Sequence, residues 1–219
     1  MSCPHGHVTM TQTKINGQDP GARGVWIAIG IGIGAALIVR FALPGLGLPA
    51  WLFLVAATLL ALFYWNTLRR VPLYLTNRTT ATALLSLMPE RADARFLDLG
   101  HGFGGTVLRL AQMRPEQSYD GIESAPMPYM VSWIWRMVSG RTNARVLYGD
   151  LWKLDLGAYD LVYAFLSPAP MSALSAKATR EMKPGSLLVS NSFAIMDRIA
   201  DEMLQLGDGR QTKLFLYRF

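Results

Sequence analysis

Two long apolar runs, four residues apart, constrain this chain before anything else does. Residues 25–43 read VWIAIGIGIGAALIVRFAL, nineteen residues with one charge, Arg40; residues 48–65 read LPAWLFLVAATLLALFYW, with none. At a helical rise of 1.5 Å per residue the first would be about 28 Å long, close to the thickness of one hydrocarbon core. Only Pro44, Gly45, Leu46 and Gly47 stand between the two, a breaker-rich stretch with room for nothing but a tight reversal. The expectation is a transmembrane helical hairpin over residues 25–66. Lys14 and Arg23 precede the first run and Arg69 and Arg70 follow the second, while Arg40, near the reversal, can snorkel to the headgroups. Both termini and the rest of the chain should then lie on the cytoplasmic side of an inner or cytoplasmic membrane. Trp26, Trp51 and Trp65 fit interfacial anchors. Two other readings stay open. A cleaved signal peptide is opposed by the 24-residue polar leader and the immediate second run, and a pair of buried helices in a soluble fold by the charge-free length.

Composition narrows the function classes. Of 219 residues, 51% are hydrophobic and 16% charged, against about 25% charged in ordinary soluble domains. Such a chain is too apolar for intrinsic disorder and too short for a multidomain machine. The single cysteine, Cys3, excludes an intrachain disulfide. The net charge of +6 comes from scattered residues without a basic block, so no nucleic-acid partner is expected. Residues 1–24 read as a flexible polar tail. Its Cys3, His5 and His7 lack a second ligand cluster, and no metal is expected.

From residue 71 onward the pattern becomes that of a globular domain, residues 71–219. Strand-like stretches at 94–100, 118–123, 144–150, 159–166 and 186–193 alternate with helix-like stretches at 104–113, 126–138 and 169–182. A repeating β-α pattern builds a parallel sheet covered on both faces. The end differs: residues 202–206, then GDG, then 210–217 read as a β-hairpin, so the last strand should run antiparallel to its neighbour. Five parallel strands closed by a hairpin is the layout of a Rossmann-like, seven-stranded α/β methyltransferase sheet. Ahead of the first strand, Thr76 or Asn77 can cap a helix that runs to about Met88.

Chemistry concentrates at the strand ends. Asp98-Leu-Gly100-His-Gly102-Phe-Gly104-Gly105 closes the first strand and opens a helix, where glycines let a ligand approach the backbone. Its spacing also satisfies G-x-G-x-x-G, which makes an NAD-dependent oxidoreductase a rival. Asp98 argues against the anionic pyrophosphate of a dinucleotide and for the sulfonium and ammonium of S-adenosyl-L-methionine. Glu123 ends the second strand, placed to accept ribose hydroxyls, and Asp150 the third, placed for the adenine amino group, with Leu151 and Trp152 against its ring. The fourth strand ends in Phe165-Leu-Ser167-Pro168, which would face the transferable methyl group; Ser167 and Pro168 read equally well as a plain helix start. Tyr129, Trp133 and Trp135 share one helix and read as core or membrane-facing. His101 reads as backbone-positioning or exposed rather than as a general base. Neither a Ser-His-Asp set, a Walker loop nor paired zinc ligands can be assembled.

The stretches VPLYLTN (71–77), FLDLGHGFGG, GIE, GDLWKLDLGAYDLV (149–162), NSF (191–193) and the terminal TKLFLYRF resemble the membrane-anchored seven-stranded protein-lysine N-methyltransferases. That family includes the enzymes that modify the ATP synthase c subunit and the adenine nucleotide translocase. The resemblance covers residues 71–219 and is most specific at Pro72 and Thr76 and at Asp150-Leu-Trp152-Lys153. It implies that Asp98, Gly100, Gly102 and Gly104 hold the methionine end of S-adenosyl-L-methionine, Glu123 the ribose, and Asp150, Leu151 and Trp152 the adenine. Thr76, Phe165, Ser167 and Pro168 would then lie at the reactive face. Where the family has an acid after the second motif glycine and an Asn two residues after the ribose acid, this chain has Phe103 and Ala125. The implied function is N-methylation of a lysine on a membrane protein, with the bilayer as the other partner. The competing readings are a methyltransferase for a lipid or quinone-like amphiphile and, given Phe103 and Ala125, a non-catalytic scaffold on a degenerate methyltransferase fold.

Overall fold

A computed structural model describes residues 75–219 and, isolated within the second apolar run, Ala56, which is helical. The expected hairpin over 25–66, the tail 1–24 and its Cys3-His5-His7 group, and Pro72 lie outside the described residues. Among the described residues no helix is long and apolar enough to cross a membrane.

The elements follow the alternation read from the sequence. Helix α1 (Arg78–Leu87) leads into β1 (Arg95–Leu99), α2 (Gly105–Met113), β2 (Ser118–Glu123), α3 (Pro126–Ser139) and β3 (Ala144–Tyr148). Two short 3-10 turns, Leu151–Lys153 and Leu156–Ala158, precede β4 (Leu161–Ala164), α4 (Met171–Glu181) and β5 (Leu187–Asn191). The hairpin β6 (Glu202–Gln205) and β7 (Lys213–Arg218) ends the chain. Of the two candidate caps for α1, Asn77 is the one: its side chain accepts the amide of Thr80, which satisfies one orphan donor of the first turn.

All seven strands form one sheet in the order β3-β2-β1-β4-β5-β7-β6. The first five are parallel, and β7 pairs antiparallel with both β5 and β6. The last strand therefore inserts between its hairpin partner and the parallel set rather than extending the edge. Burial explains this. Leu214, Leu216 and Tyr217 of β7 are buried, whereas β6 is largely exposed and takes the edge.

Strand alternation divides the core. Phe96, Tyr163, Val189 and Leu216 pack under α1 and α2 on one face, and Leu97, Leu99, Val162 and Leu188 under α4 and the second 3-10 turn on the other. At the amino half of the sheet, buried Asp120 accepts from Arg145 Nε at 2.8 Å and Tyr159 Oη at 2.9 Å, with Arg95 at 3.3 Å. A buried charge held this way is stabilised by its partners. Asp160 is likewise tied to Arg91 and Lys183.

Candidate cofactor and acceptor site

The carboxyl ends of β1, β2 and β3 are adjacent, which brings Asp98, Glu123 and Asp150 to one rim. Asp98 lies beside Gly121 of β2 on one side and Tyr163 of β4 on the other. Gly149 donates to the carbonyl of Glu123 at 3.0 Å, which sets Asp150 next to the end of β2.

The glycine loop turns tightly between β1 and α2. Gly100, Gly102 and Gly104 all have positive φ, between 57° and 77°, a region costly for residues with a Cβ. A Cβ on Gly104 would come within 2.9 Å of Ser132 Cβ, and one on Gly100 within 3.0 Å of Leu166. Contact with Leu166 means that the Phe165-Leu166-Ser167-Pro168 loop rests directly on the glycine loop. The amides of Gly100 and His101 both donate to Ile122, at 2.8 and 3.2 Å, fastening the loop to the end of β2.

Glu123 occupies the centre of this arrangement. Its Oε2 accepts from the amide of Gly102 at 3.0 Å, and Oε1 from Ser124 and Ala125, both at 2.8 Å. A carboxylate has about four acceptor sites, so three amides leave about one for a ligand hydroxyl. Ala125, which stands where the resembling family has Asn, is the residue before α3 and one of those three donors.

Asp98 is buried with no cation paired to it among the described residues. Burial raises its pKa to about 8, the charge of Glu123 adds to the rise, and a hydrogen bond from Thr106 opposes it. The contrast with Asp120 is direct: both carboxylates are buried in the same sheet, yet one has two guanidinium groups and the other a hydroxyl and a second acid. Buried charges are ordinarily paired, and the exception marks a site. An ammonium or sulfonium is the group that Asp98 fits.

Asp150 is exposed and caps the first 3-10 turn, Oδ1 accepting from the amide of Trp152 at 3.1 Å. Leu151 packs against the core and Trp152 is exposed. Ser167 and Pro168 begin the connection to α4, the carbonyl of Pro168 accepting from Met171 at 3.1 Å. The helix itself begins at Met171 with Pro170 as its N-cap, so the pair sits in the loop and turn ahead of it rather than at the helix start.

Thr76 reaches the same edge by another route. Its Oγ1 lies 2.8 Å from Tyr163 Oη, which also accepts from Asn191 Nδ2 at 2.7 Å. Burial and the neighbouring Asp98 push the Tyr163 phenol up, so it stays protonated. Tyr163 is the site residue that the sequence reading missed. Its signal was the alternation of β4, which puts it on the face of Asp98 and Phe96. A cavity of about 250 Å³ opens along this part of the edge, lined by Asn77, Thr80, Phe165, Asn191, Arg210 and Lys213 among others; Asp98, Glu123 and Asp150 do not line it.

His101 is buried, which corrects the exposed alternative. Its Nε2 is 3.1 Å from Ser132 Oγ, and that hydroxyl already donates to the carbonyl of Tyr129 at 2.7 Å. Nε2 therefore carries the proton and Nδ1 is a buried acceptor without a partner among the described residues. Burial lowers its pKa to about 3. The ring wedges against Gly121, where a Cβ would come within 2.6 Å of it, so the buried histidine packs the loop onto β2.

Residues 98–202 match the family model described as the ANTKMT methyltransferase domain. Trans-aconitate 2-methyltransferase of Deinococcus radiodurans is 29% identical over 129 residues, covering 57% of this chain and 47% of that protein. The chain thus spans about half the length of the curated relative it matches. Among solved structures, an RNA methyltransferase from Salinibacter ruber in complex with S-adenosyl-L-homocysteine superposes with a TM-score of 0.60 at 21% identity, covering 66% of this chain and 93% of that one. The fold is therefore the Rossmann-like methyltransferase fold. Over the matched residues the chain is a methyltransferase domain of the S-adenosyl-L-methionine-dependent kind.

Proposed function

We propose that this chain N-methylates a lysine of a membrane protein from a position at the bilayer. The observation that carries the reading is the buried Asp98, unpaired beneath a glycine loop that Glu123 gathers by its amides. In it, Asp98 with Gly100, Gly102 and Gly104 holds the methionine end, Glu123 the ribose, and Asp150, Leu151 and Trp152 the adenine. The bound cofactor supplies an electrophilic methyl group with a neutral leaving group, so the protein need contribute only alignment and desolvation.

The acceptor amine would enter where Phe165, Asn191 and the Thr76–Tyr163 pair meet the edge. Thr76 and the carbonyls of the Ser167–Pro168 loop would orient its lone pair, while burial disfavours the ammonium form. The match to the ANTKMT methyltransferase domain model supports methyl transfer, and the resemblance of residues 71–219 to the membrane-anchored lysine methyltransferases supports a lysine acceptor. The runs 25–43 and 48–65 support a tether, which raises the local concentration of membrane-resident targets.

Incubating host membranes with methyl-labelled cofactor and the protein tests this. Label that stays with protein after solvent extraction, and maps to lysine by mass spectrometry, is the expected result. Label that extracts into the organic phase would overturn the lysine assignment in favour of a lipid or quinone-like acceptor, and absence of label together with absence of cofactor binding would leave only the scaffold.

A further inference from the structure

Helix α3 turns a row of large apolar residues to the outside. A helix on a globular domain ordinarily turns its apolar stripe inward and its polar residues to water. Here the inward contacts are polar as well as apolar: Ser132 is buried against His101, and Arg136 Nε donates to the carbonyl of Ala144 at 3.1 Å. The outward residues of the last two turns are Ile134, Trp135, Met137 and Val138, exposed by 47, 62, 54 and 84%. An apolar patch of this kind on a domain surface marks a contact site.

Charge identifies the occupant. The helix carries no acidic residue, and Arg136 in its last turn and Arg141 just beyond it each spend Nε on a backbone carbonyl. Neither has a carboxylate partner among the described residues. A helix end with tryptophan and aliphatic side chains outward, flanked by guanidinium groups free to meet phosphates, has the chemistry of an interfacial membrane contact. Chain length agrees. Only residues 66–74 separate the second apolar run from Leu75, and ten extended steps reach at most about 35 Å. A domain so closely tethered stays at the headgroups.

We infer that the exposed face of α3 docks on an anionic phospholipid surface, seating the methyltransferase domain against the bilayer in one orientation. This rests on the membrane tether proposed above and not on the identity of the methyl acceptor.

The full chain, with Cys3→Ser to remove its only thiol, is placed in nanodiscs of phosphatidylcholine with about one third phosphatidylglycerol. A single cysteine introduced by Val138→Cys, or as control by Ser172→Cys on α4 at the opposite face of the sheet, carries an environment-sensitive fluorophore. Doxyl-labelled lipid is expected to quench the probe at 138 at least threefold more than that at 172, and Trp135→Glu to remove most of the difference. Equal quenching at the two positions overturns the proposal. So does a probe at 138 that is shielded from water but not quenched by lipid, the signature of the apolar runs or a protein partner covering the helix. A chain that does not enter the discs overturns the docking and the tether together, whereas cofactor binding, which none of these readouts involves, would remain intact.

Discussion

Ionised Asp98 carries a cost in the fold that a cationic ligand would relieve. Its folded pKa is about 8 and its unfolded value about 4, so the protonated carboxyl is the form the folded chain prefers. The stability this gives is complete below about pH 4 and is lost as pH rises toward 8, at about 1.4 kcal/mol per unit. Asp98→Asn should therefore raise the melting temperature at pH 8 more than at pH 5, while abolishing cofactor binding in calorimetry. In the parent protein, binding a cation there should release close to one proton at pH 7, visible as a dependence of the binding enthalpy on buffer ionisation. A second residue separates acceptor from cofactor. Tyr163→Phe removes the hydroxyl shared by Thr76 and Asn191, leaving a buried amide unpaired at a cost of about 1–3 kcal/mol. Cofactor affinity should change less than about twofold and turnover should fall at least tenfold, a split that kinetics against direct binding would reveal.

At the level of elements, the glycine loop is the most demanding piece of backbone. Gly104→Ala meets both a left-handed φ of 77° and a contact of 2.9 Å with Ser132, and the conformation alone costs about 1–2 kcal/mol. A drop of several degrees in melting temperature is expected, with weaker cofactor binding, since α3 must give way. Gly105→Ala, with φ in the helix and no atom near a new Cβ, should be close to neutral. The same loop shows what sequence could reveal. Strands β1 to β5, helices α1 to α4 and the terminal hairpin announce themselves through periodicity and breakers, because every buried apolar face must repeat at 2.0 or 3.6 residues. The three rim acids were legible for the same reason, since the alternation fixes where each strand ends. Three features were not. The insertion of β7 between β5 and β6 depends on which strand has more apolar surface to bury, a comparison between elements rather than a local pattern. The three amides on Glu123 arise from the turn after β2, which composition does not encode. The pairing of Thr76 with Tyr163 joins positions 87 apart, far beyond any local signal.

Across the whole molecule, two buried groups pull stability in opposite directions with pH. His101 is neutral in the fold with a pKa near 3, against about 6.5 unfolded. Its stabilising contribution is present above 6.5 and is lost as pH falls toward 3. Asp98 does the reverse between about 4 and 8. Between about pH 4 and 6.5 the two slopes cancel; the window closes at the acid edge where the Asp98 slope stops and at the alkaline edge where the His101 slope stops. On the acid side, Asp160 and Glu181 add to the loss: burial raises each, but Lys183, the Arg95 amide and Arg91 for the first, and Lys177 and the Leu156 amide for the second, hold them below the usual carboxylate range, so protonating them breaks those bonds. Above 6.5, only the Asp98 slope remains. Chemical denaturation from pH 3 to pH 9 should accordingly show a plateau centred near pH 5, an acid collapse, and a gradual alkaline decline that ends close to pH 8. Saturating S-adenosyl-L-homocysteine, whose ammonium would pair with Asp98, should stabilise the fold more at pH 8 than at pH 5 and so flatten the alkaline limb, while the acid limb keeps its slope, because the His101 ring and the ion pairs of Asp160 and Glu181 make no cation contact of that kind. If the ligand stabilises the fold equally at pH 5 and pH 8, Asp98 is not where the cation binds.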